Sequence, residues 1–538
     1  MSKVKIFLFL QFIFFFSLPV LAQVDTAWVR RYNGPGNQYD VPAALVVDGS
    51  GNVYVTGSSG TSEYYDKDDY LTIKYSPNGD TLWVRRYNGP GNGDDSPSGL
   101  AVDVYGNVYV TGSSDKDTTA GYIDYDFATI KYAPNGDTLW VRRYKGPGLA
   151  SDEANGLAVD DSGNVYVTGN SSGATLTLED YVTIKYNPNG DTLWVRRYDG
   201  PSNHEDYAYQ LAVDDSANVY VSGVIDYCSG IFCEPPLPGD YATIKYASNG
   251  DTLWVRRYNG SGNGNDGTSA LAVDDSGNVY VTGYSSGSGT FDDYATIKYS
   301  SAGDTLWVRR YDGPGNGYDR GGALAVDDSG NVYVTGSSTG SGSDFDYTTI
   351  KYSPAGDTVW VRRYNGPGNG YDGGGALAVD DSGNVYVTGA SSPDGTFNFD
   401  YATIKYSSSG DTLWVRRYNG PGNYLDIASA IALDTSGNVY VTGGSSPDGT
   451  FNFDYATIKY IQFACVAKAG DANGDGSVSL PDIIYLVNRV FKGGPPTSPV
   501  CKGDANADGN VTLPDIIFLV NRVFKGGPAP LKSKECCL

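Results

Sequence analysis

The chain has 538 residues and a net charge of −24, with 71 glycines and 45 tyrosines against one methionine and one histidine. That composition describes strands and turns and excludes an all-helical fold. The acidic balance excludes a nucleic-acid binder, whose phosphate partner demands a basic face.

Lys3 and Lys5 precede an apolar run over residues 6–16 and a stretch ending on the small residue Ala22. This is the layout of a cleaved export signal, predicted over residues 1–22. The run is too short to span about 30 Å of hydrocarbon. No later stretch is apolar enough to cross a bilayer, so the expected product is secreted or held at the cell surface, where its six cysteines can pair.

The string Trp-Val-Arg-Arg-Tyr then starts at Trp28, Trp83, Trp140, Trp194, Trp254, Trp307, Trp360 and Trp414, at intervals of 53 to 60 residues. A period of this size means a propeller, a solenoid or an array. Each unit holds four strand-like segments; in the first they are Ala44–Asp48, Asn52–Gly57, Tyr70–Tyr75 and Thr81–Tyr87, separated by Gly/Asn/Asp turns. The small side chains of Leu-Ala-Val-Asp place the first segment innermost. Two adjacent arginines place the fourth at the outer rim, where their stems reach water and guard the sheet edge.

One outer-type strand, Ala27–Tyr32, precedes any inner strand, and the last unit (Ile431–Asp434, Val439–Gly443, Tyr455–Tyr460) lacks a fourth. The N-terminal strand is therefore predicted to complete blade eight and close a ring over residues 23–462. A linear array would leave both partial units as frayed caps. The fold class that follows is mainly β, an eight-bladed β-propeller. The element Asp-x-x-Gly-Asn-Val-Tyr-Val-Thr-Gly, as at Asp160–Gly169 and Asp327–Gly336, resembles the bacterial SBBP β-propeller repeat. That resemblance implies the propeller and no particular activity.

Length variation concentrates in the second-to-third loops, Ser58–Asp69, Ser113–Asp126, Asn170–Asp180 and Val224–Asp240, on the face opposite the near-constant turns. A rigid scaffold with variable loops on one face suits a glycan or protein ligand; drift in exposed connections is the plain alternative. Cys228 and Cys233 are expected to close the fourth of these loops, because a metal site there would lack partners, His204 being the sole histidine. Asp pairs such as Asp160-Asp161 and Asp327-Asp328 either cap turns or bind calcium at a blade edge, and the turn is favoured. Ser76-x-Asn78-x-Asp80-x-x-Trp83 has the spacing of an Asp-box, which folds a turn. No non-repeated set of acid, base and nucleophile stands out. The chain is expected to be no enzyme, with a glycoside hydrolase the minor alternative.

After Phe463 the character changes. Asp471, Asn473, Asp475, Ser477, Ser479 and Asp482 occupy positions 1, 3, 5, 7, 9 and 12 of a calcium loop, and Asp504, Asn506, Asp508, Asn510, Thr512 and Asp515 repeat the pattern. Gly476 and Gly509 stand at position 6, where the loop reverses. Two Ca²⁺ ions are predicted, followed by helices over Ile483–Phe491 and Ile516–Phe524. Asp replaces the bidentate Glu of an EF-hand at position 12. Duplicated loop–helix segments of this kind resemble type I dockerins, here an α-helical domain over residues 463–530 followed by a tail, 531–538, that carries Cys536 and Cys537. Cys465 and Cys501 each lie just ahead of a loop.

The resemblance implies calcium-dependent folding and docking onto a cohesin through either pseudo-symmetric copy. Leu480-Pro481 and Leu513-Pro514 stand where hydroxyl residues often touch cohesin. The apolar helix face is thus assigned either to intramolecular packing or to a divergent partner. The functional expectation is a secreted calcium-binding adaptor, docked to a cohesin-like or other extracellular protein, in the setting of polysaccharide degradation. The alternative is a structural subunit that joins head to tail with copies of itself.

Overall fold

The computed structural model describes residues 23–531, apart from 62–66, 117–123, 149–150, 174–177, 229–237, 289–290, 464–468, 476, 498–501 and 508–509. The chain divides into two compact units: Asp25–Ile461, and a second that holds Gln462–Leu538.

The first unit is eight antiparallel four-stranded sheets. Blade 1 runs β2 (Asp40–Val47), β3 (Val53–Gly60), β4 (Asp68–Tyr75) and β5 (Thr81–Tyr87), paired in chain order. Blades 2 to 7 repeat it. Blade 8 does not: its order is β1 (Gln23–Tyr32), β32 (Asp454–Phe463), β31 (Val439–Ser445), β30 (Asp426–Leu433). The N-terminal strand is the outer edge of the last sheet. Ser429 of β30 donates to the carbonyl of Pro42 in β2 at 2.9 Å, so blade 8 meets blade 1 and the ring closes.

The core lies between blades. Tyr54, Tyr70 and Trp83 of blade 1 pack on Val108, Val110, Ile130 and Tyr132 of blade 2. The same arrangement spans the seam, where Trp28, Tyr440 and Tyr455 meet Val53, Val55, Ile73 and Tyr75. Because β3 and β4 are covered on both faces, they are buried almost throughout and read as near-continuous apolar and aromatic runs.

Two details differ from the sequence expectation. The first strand starts four residues earlier than Ala44, because a bulge between Pro42 and Ala44 lets a segment without alternating pattern stay paired. The paired arginines hold the outer position, but their guanidiniums tie strands together where water was expected. Arg142 donates to the carbonyl of Gly190 in the next blade at 2.6 Å. Arg363 donates to Ser338 at 2.6 Å and Asp346 at 2.8 Å within its own blade.

In the second unit, α1 (Leu480–Lys492) and α2 (Leu513–Lys525) pack Ile483, Leu486, Ile516 and Leu519 against Ala472 and Ala505. Both helices begin three residues before the predicted Ile. Pro481 and Pro514 sit in the first turn, where a missing N–H costs nothing.

Candidate calcium module and channel-mouth face

The first calcium loop is folded by its own ligand candidates. Carboxylate oxygens of Asp471, Asp475 and Asp482 lie within 4.8 Å of one another, close enough to share one cation. Asp482 is fully buried and accepts the backbone N–H groups of Asn473 at 3.1 Å and Ser479 at 2.8 Å. One carboxylate thus caps α1 and faces the loop. This is a geometric reason for Asp where an EF-hand has Glu: at the third helical position the shorter side chain reaches back to its own N-cap. Asp475 accepts Ser477 N–H at 2.9 Å, and Ser479 is the N-cap.

The second loop matches on its described residues. Asp515 accepts Asn506 N–H at 3.2 Å and Thr512 N–H at 2.8 Å, and Asp504 is buried. Asn510 is exposed; Asp508, Gly509 and Gly476 lie outside the described residues. Among those described, the left-handed residue is position 4, Gly474 (φ 80°) and Ala507 (φ 59°).

On the propeller, the near-constant turns are explained by capping. Asp48 accepts Ser50 and Asn52 N–H at 2.9 Å, the Asn52 amide at 2.8 Å and the Tyr54 hydroxyl at 2.9 Å. Burial pushes its carboxyl up, but these donors outweigh burial and hold it below the ordinary range. Asp327 is occupied in the same way by Ser329, Asn331 and Tyr333. The turn reading of the Asp pairs therefore accounts for these oxygens. The Asp-box spacing also folds a turn, with Asp80 N–H donating to the Ser76 hydroxyl at 3.1 Å. Cys228 is buried and disulfide-bonded; Cys233, Cys465, Cys501, Cys536 and Cys537 lie outside the described residues.

The opposite face differs from blade to blade. Each first strand carries a buried Asp at its start, or one residue in at blade 4, and ends in Leu-Ala-Val in six of the eight. The residue after that Asp is in turn Val41, Ser96, Glu153, Tyr207, Gly267, Arg320, Gly373 and Ile427. Each of them pairs with the residue that follows the glycine of the second strand, itself variable: Glu153 with Asn170, Gly267 with Tyr284, Arg320 with Ser337. Side chains on first strands surround the channel, so these positions line its mouth.

Three sectors result. Glu153, Glu179 and Glu205, half of the six glutamates in the chain, gather at blades 3 and 4. Burial and the charge of Glu153 push Glu179 up to about 7. The Asn170 amide donates to Glu179, and the Tyr207 hydroxyl donates to Glu205 at 2.9 Å. At blades 5 and 6, Arg320 pairs with Asp292 at 2.7 Å and lies over the rings of Tyr284 and Tyr318, at 4.9 and 5.2 Å. At blades 6 to 8 the surface is aromatic, with Phe345, Tyr371 and Phe399 in edge contact. Sequence reading passed over all three sectors. The signal was available in the departures of each copy from the repeat at the residues just after the Asp.

The beta-propeller repeat model of the SBBP family matches residues 27–64, 82–117, 140–176, 253–289, 306–343 and 413–446, and the dockerin type I domain model matches residues 469–524. The protein is an SBBP-repeat β-propeller with a type I dockerin domain. Type I dockerins are calcium-binding modules of extracellular proteins and imply a cohesin-type protein partner. An uncharacterized WD repeat-containing protein of Acanthamoeba polyphaga mimivirus, L264, is 23% identical over 534 residues, covering 83% of this chain and 35% of its own. The chain thus spans about a third of that relative's length. Matching solved structures include a protein of unknown function from Dyadobacter fermentans (10% identity, TM-score 0.36, 81% of this chain and 98% of that one). Another is the gluconolactonase XC5397 of Xanthomonas campestris (14%, TM-score 0.30, 57% and 86%).

Within the dockerin, the apolar helix face that sequence left between two roles is exposed. Ile484 and Ile517 are 53% and 52% exposed, and Phe491 and Phe524 are each 62% exposed, whereas Ile483, Leu486, Ile516 and Leu519 supply the core. Among the described residues, no helix is long and apolar enough to cross a membrane.

Proposed function

We propose that this SBBP–dockerin protein is a secreted, non-catalytic adaptor, whose dockerin binds two calcium ions and docks to a cohesin-type partner while the variable channel-mouth face of the propeller holds a ligand. The observation that carries the reading is the duplicated apolar patch Leu480-Ile484-Phe491 and Leu513-Ile517-Phe524, matched in exposure between the copies. A soluble module that leaves two such patches uncovered favours an apolar partner surface, in place of the hydroxyl contacts common at these loop positions. Asp471, Asn473, Asp475 and Asp482 would hold one ion, with the Ser477 carbonyl and a water on Ser479. Asp504, Asn506, Asp508 and Asp515 would hold the other, with the Asn510 carbonyl and a water on Thr512. Calcium would supply charge neutralisation at the two helix starts. An assembly that degrades polysaccharides is the setting this reading favours.

The test is calorimetry of the full calcium-loaded chain against a panel of cohesins. The expected result is one-to-one binding that survives Ile484→Asp or Ile517→Asp alone and is lost in the double variant. Binding that persists in EDTA, or filaments formed by the chain with no cohesin added, would defeat the adaptor in favour of a self-assembling subunit.

A further inference from the structure

At the channel mouth above blade 7 the structure holds a depression of about 270 Å³. It lies along β26 (Asp372–Val379), which carries Gly373-Gly374-Gly375 where sister blades carry Glu-Ala-Asn or Tyr-Ala-Tyr. The floor is backbone. A Cβ added to Gly375 would meet nothing closer than 3.8 Å, so the space above it is open, whereas one on Gly373 would sit 2.8 Å from the Tyr371 hydroxyl oxygen. Glycine at 373 thus lets the Tyr371 phenol lie across the strand. Tyr371, Phe399 and Ile427 form the walls, and Ser337 stands at the rim.

The walls are fixed before any ligand arrives. Tyr371 has Phe345 and Phe399 edge-on at 5.6 and 5.7 Å. Phe399 is strapped into blade 8 by its own N–H to the Tyr424 carbonyl, at 3.1 Å, and by Asp426 N–H to its carbonyl, at 2.7 Å. Preformed walls reduce the ordering cost of binding.

We infer that this pocket binds one pyranose ring of a neutral oligosaccharide, with the sugar's C–H face on Tyr371 or Phe399 and its hydroxyl edge on the Tyr371 and Ser337 hydroxyls. The inference rests on the proposal that the channel-mouth face is the ligand face. Three observations choose the class. Among the described residues none that lines the pocket is charged, and a charged ligand would lose its hydration there without a partner. Glu153, Glu179 and Glu205 stand instead at blades 3 and 4, and the chain as a whole repels anions. At about 270 Å³ the volume falls just below the usual range of ligand pockets, about 300–1,000 Å³, and takes one ring and no folded segment. Aromatic faces beside hydroxyl groups match a ligand with one apolar face and polar edges.

The experiment titrates cellohexaose, mannohexaose, xylohexaose and maltohexaose into the calcium-loaded full chain by calorimetry. The expected result is binding of at least one, reduced tenfold or more by Tyr371→Ala and by Gly375→Tyr. Gly375→Tyr places in blade 7 the residue that blade 4 carries as Tyr209 at the same station, so the backbone tolerates it. Phe397→Ala, in the same loop but 84% exposed and outside the pocket, is expected to bind as the parent does. Failure of all four sugars, or equal affinity in the Gly375→Tyr chain, overturns the inference. If the sugars fail while a tryptophan-containing peptide binds and Gly375→Tyr abolishes that binding, the pocket is a peptide site and only the ligand-face proposal stands.

Discussion

Trp28 in the first strand donates its indole N–H to the carbonyl of Pro77, 3.2 Å away in blade 1, as Trp83 does to Pro134 at 3.1 Å and Trp194 to Ser248 at 3.1 Å. The seam of the ring is thus built like the junctions that join blades 1 to 7. Lys459 donates to the same Pro77 carbonyl at 3.1 Å, as Lys74 does to Pro134 at 3.2 Å. Blade 8 has no third-to-fourth turn, since its outer strand comes from the other end of the unit. The Trp414 indole N–H, buried in blade 7, accordingly finds no acceptor among the described residues.

Trp28→Ala should therefore cost about as much as Trp194→Ala, roughly 3–5 kcal/mol each. Chemical denaturation followed by tryptophan fluorescence would measure both. A Trp28→Ala cost below about 1 kcal/mol would mean that the terminal strand frays.

Ala217 is left-handed, at φ 59°, in the turn where seven sister blades place glycine. Ala507 has the same φ in the second calcium loop, where the first has Gly474. An L-residue pays about 1 kcal/mol in that region. Ala217→Gly and Ala507→Gly should each stabilise their own unit by about 0.5–1 kcal/mol, read as a rise in midpoint. An unchanged or lowered midpoint would contradict the strained turn.

Asp482 unites the calcium loop with the cap of α1, and the two roles can be separated. Asp482→Ala should remove one of two calcium equivalents in calorimetry and also lower the helical signal. Asp482→Asn should weaken calcium binding at least tenfold while retaining most of the cap, whose loss costs about 1 kcal/mol. Equal helical loss in both variants would place the metal, not the cap, in control of the helix.

Burial raises Asp40 and Asp95 to about 6 and Asp206 and Glu179 to about 7. Groups raised in the folded state bind protons more tightly there than when unfolded. Their stabilisation is present below about pH 4 and is lost as pH climbs through 6 and 7. Asp48, Asp214, Asp274, Asp327 and Asp434 are depressed and act oppositely, so their contribution fades in stronger acid. Thermal stability should peak near pH 5, by about one unit either way. Glu179→Gln should flatten the decline between pH 5 and 8 and raise the midpoint at pH 8. A midpoint that climbs steadily to pH 8 in the parent would refute this.

Ring topology was legible because eight tryptophans mark one strand and the two ends supply complementary fragments. The dockerin was legible because its two loops repeat oxygen-bearing residues at the same intervals. The channel mouth was not. Its strand halves, such as Asp372-Gly373-Gly374-Gly375, carry no alternating pattern and low β propensity, and they stay paired only because the rest of the blade holds them. Gly373 and Gly375 read as spacers; their meaning, a floor beneath Tyr371, depends on neighbours from blades 6 and 8. The arginines were placed correctly but assigned to water, since the first of each pair, in seven of the eight, finds its acceptor in a carbonyl 47 to 54 residues away in the next blade.

The pairing of β1 with β32 has a temporal side. A strand made at the start of synthesis waits for one made some 430 residues later, so the circle cannot shut before β32 has emerged. Seven sheets can form from neighbours in sequence, each within reach of local encounter. The eighth cannot, and it acts as the latch by which the ends report that everything between them has arrived.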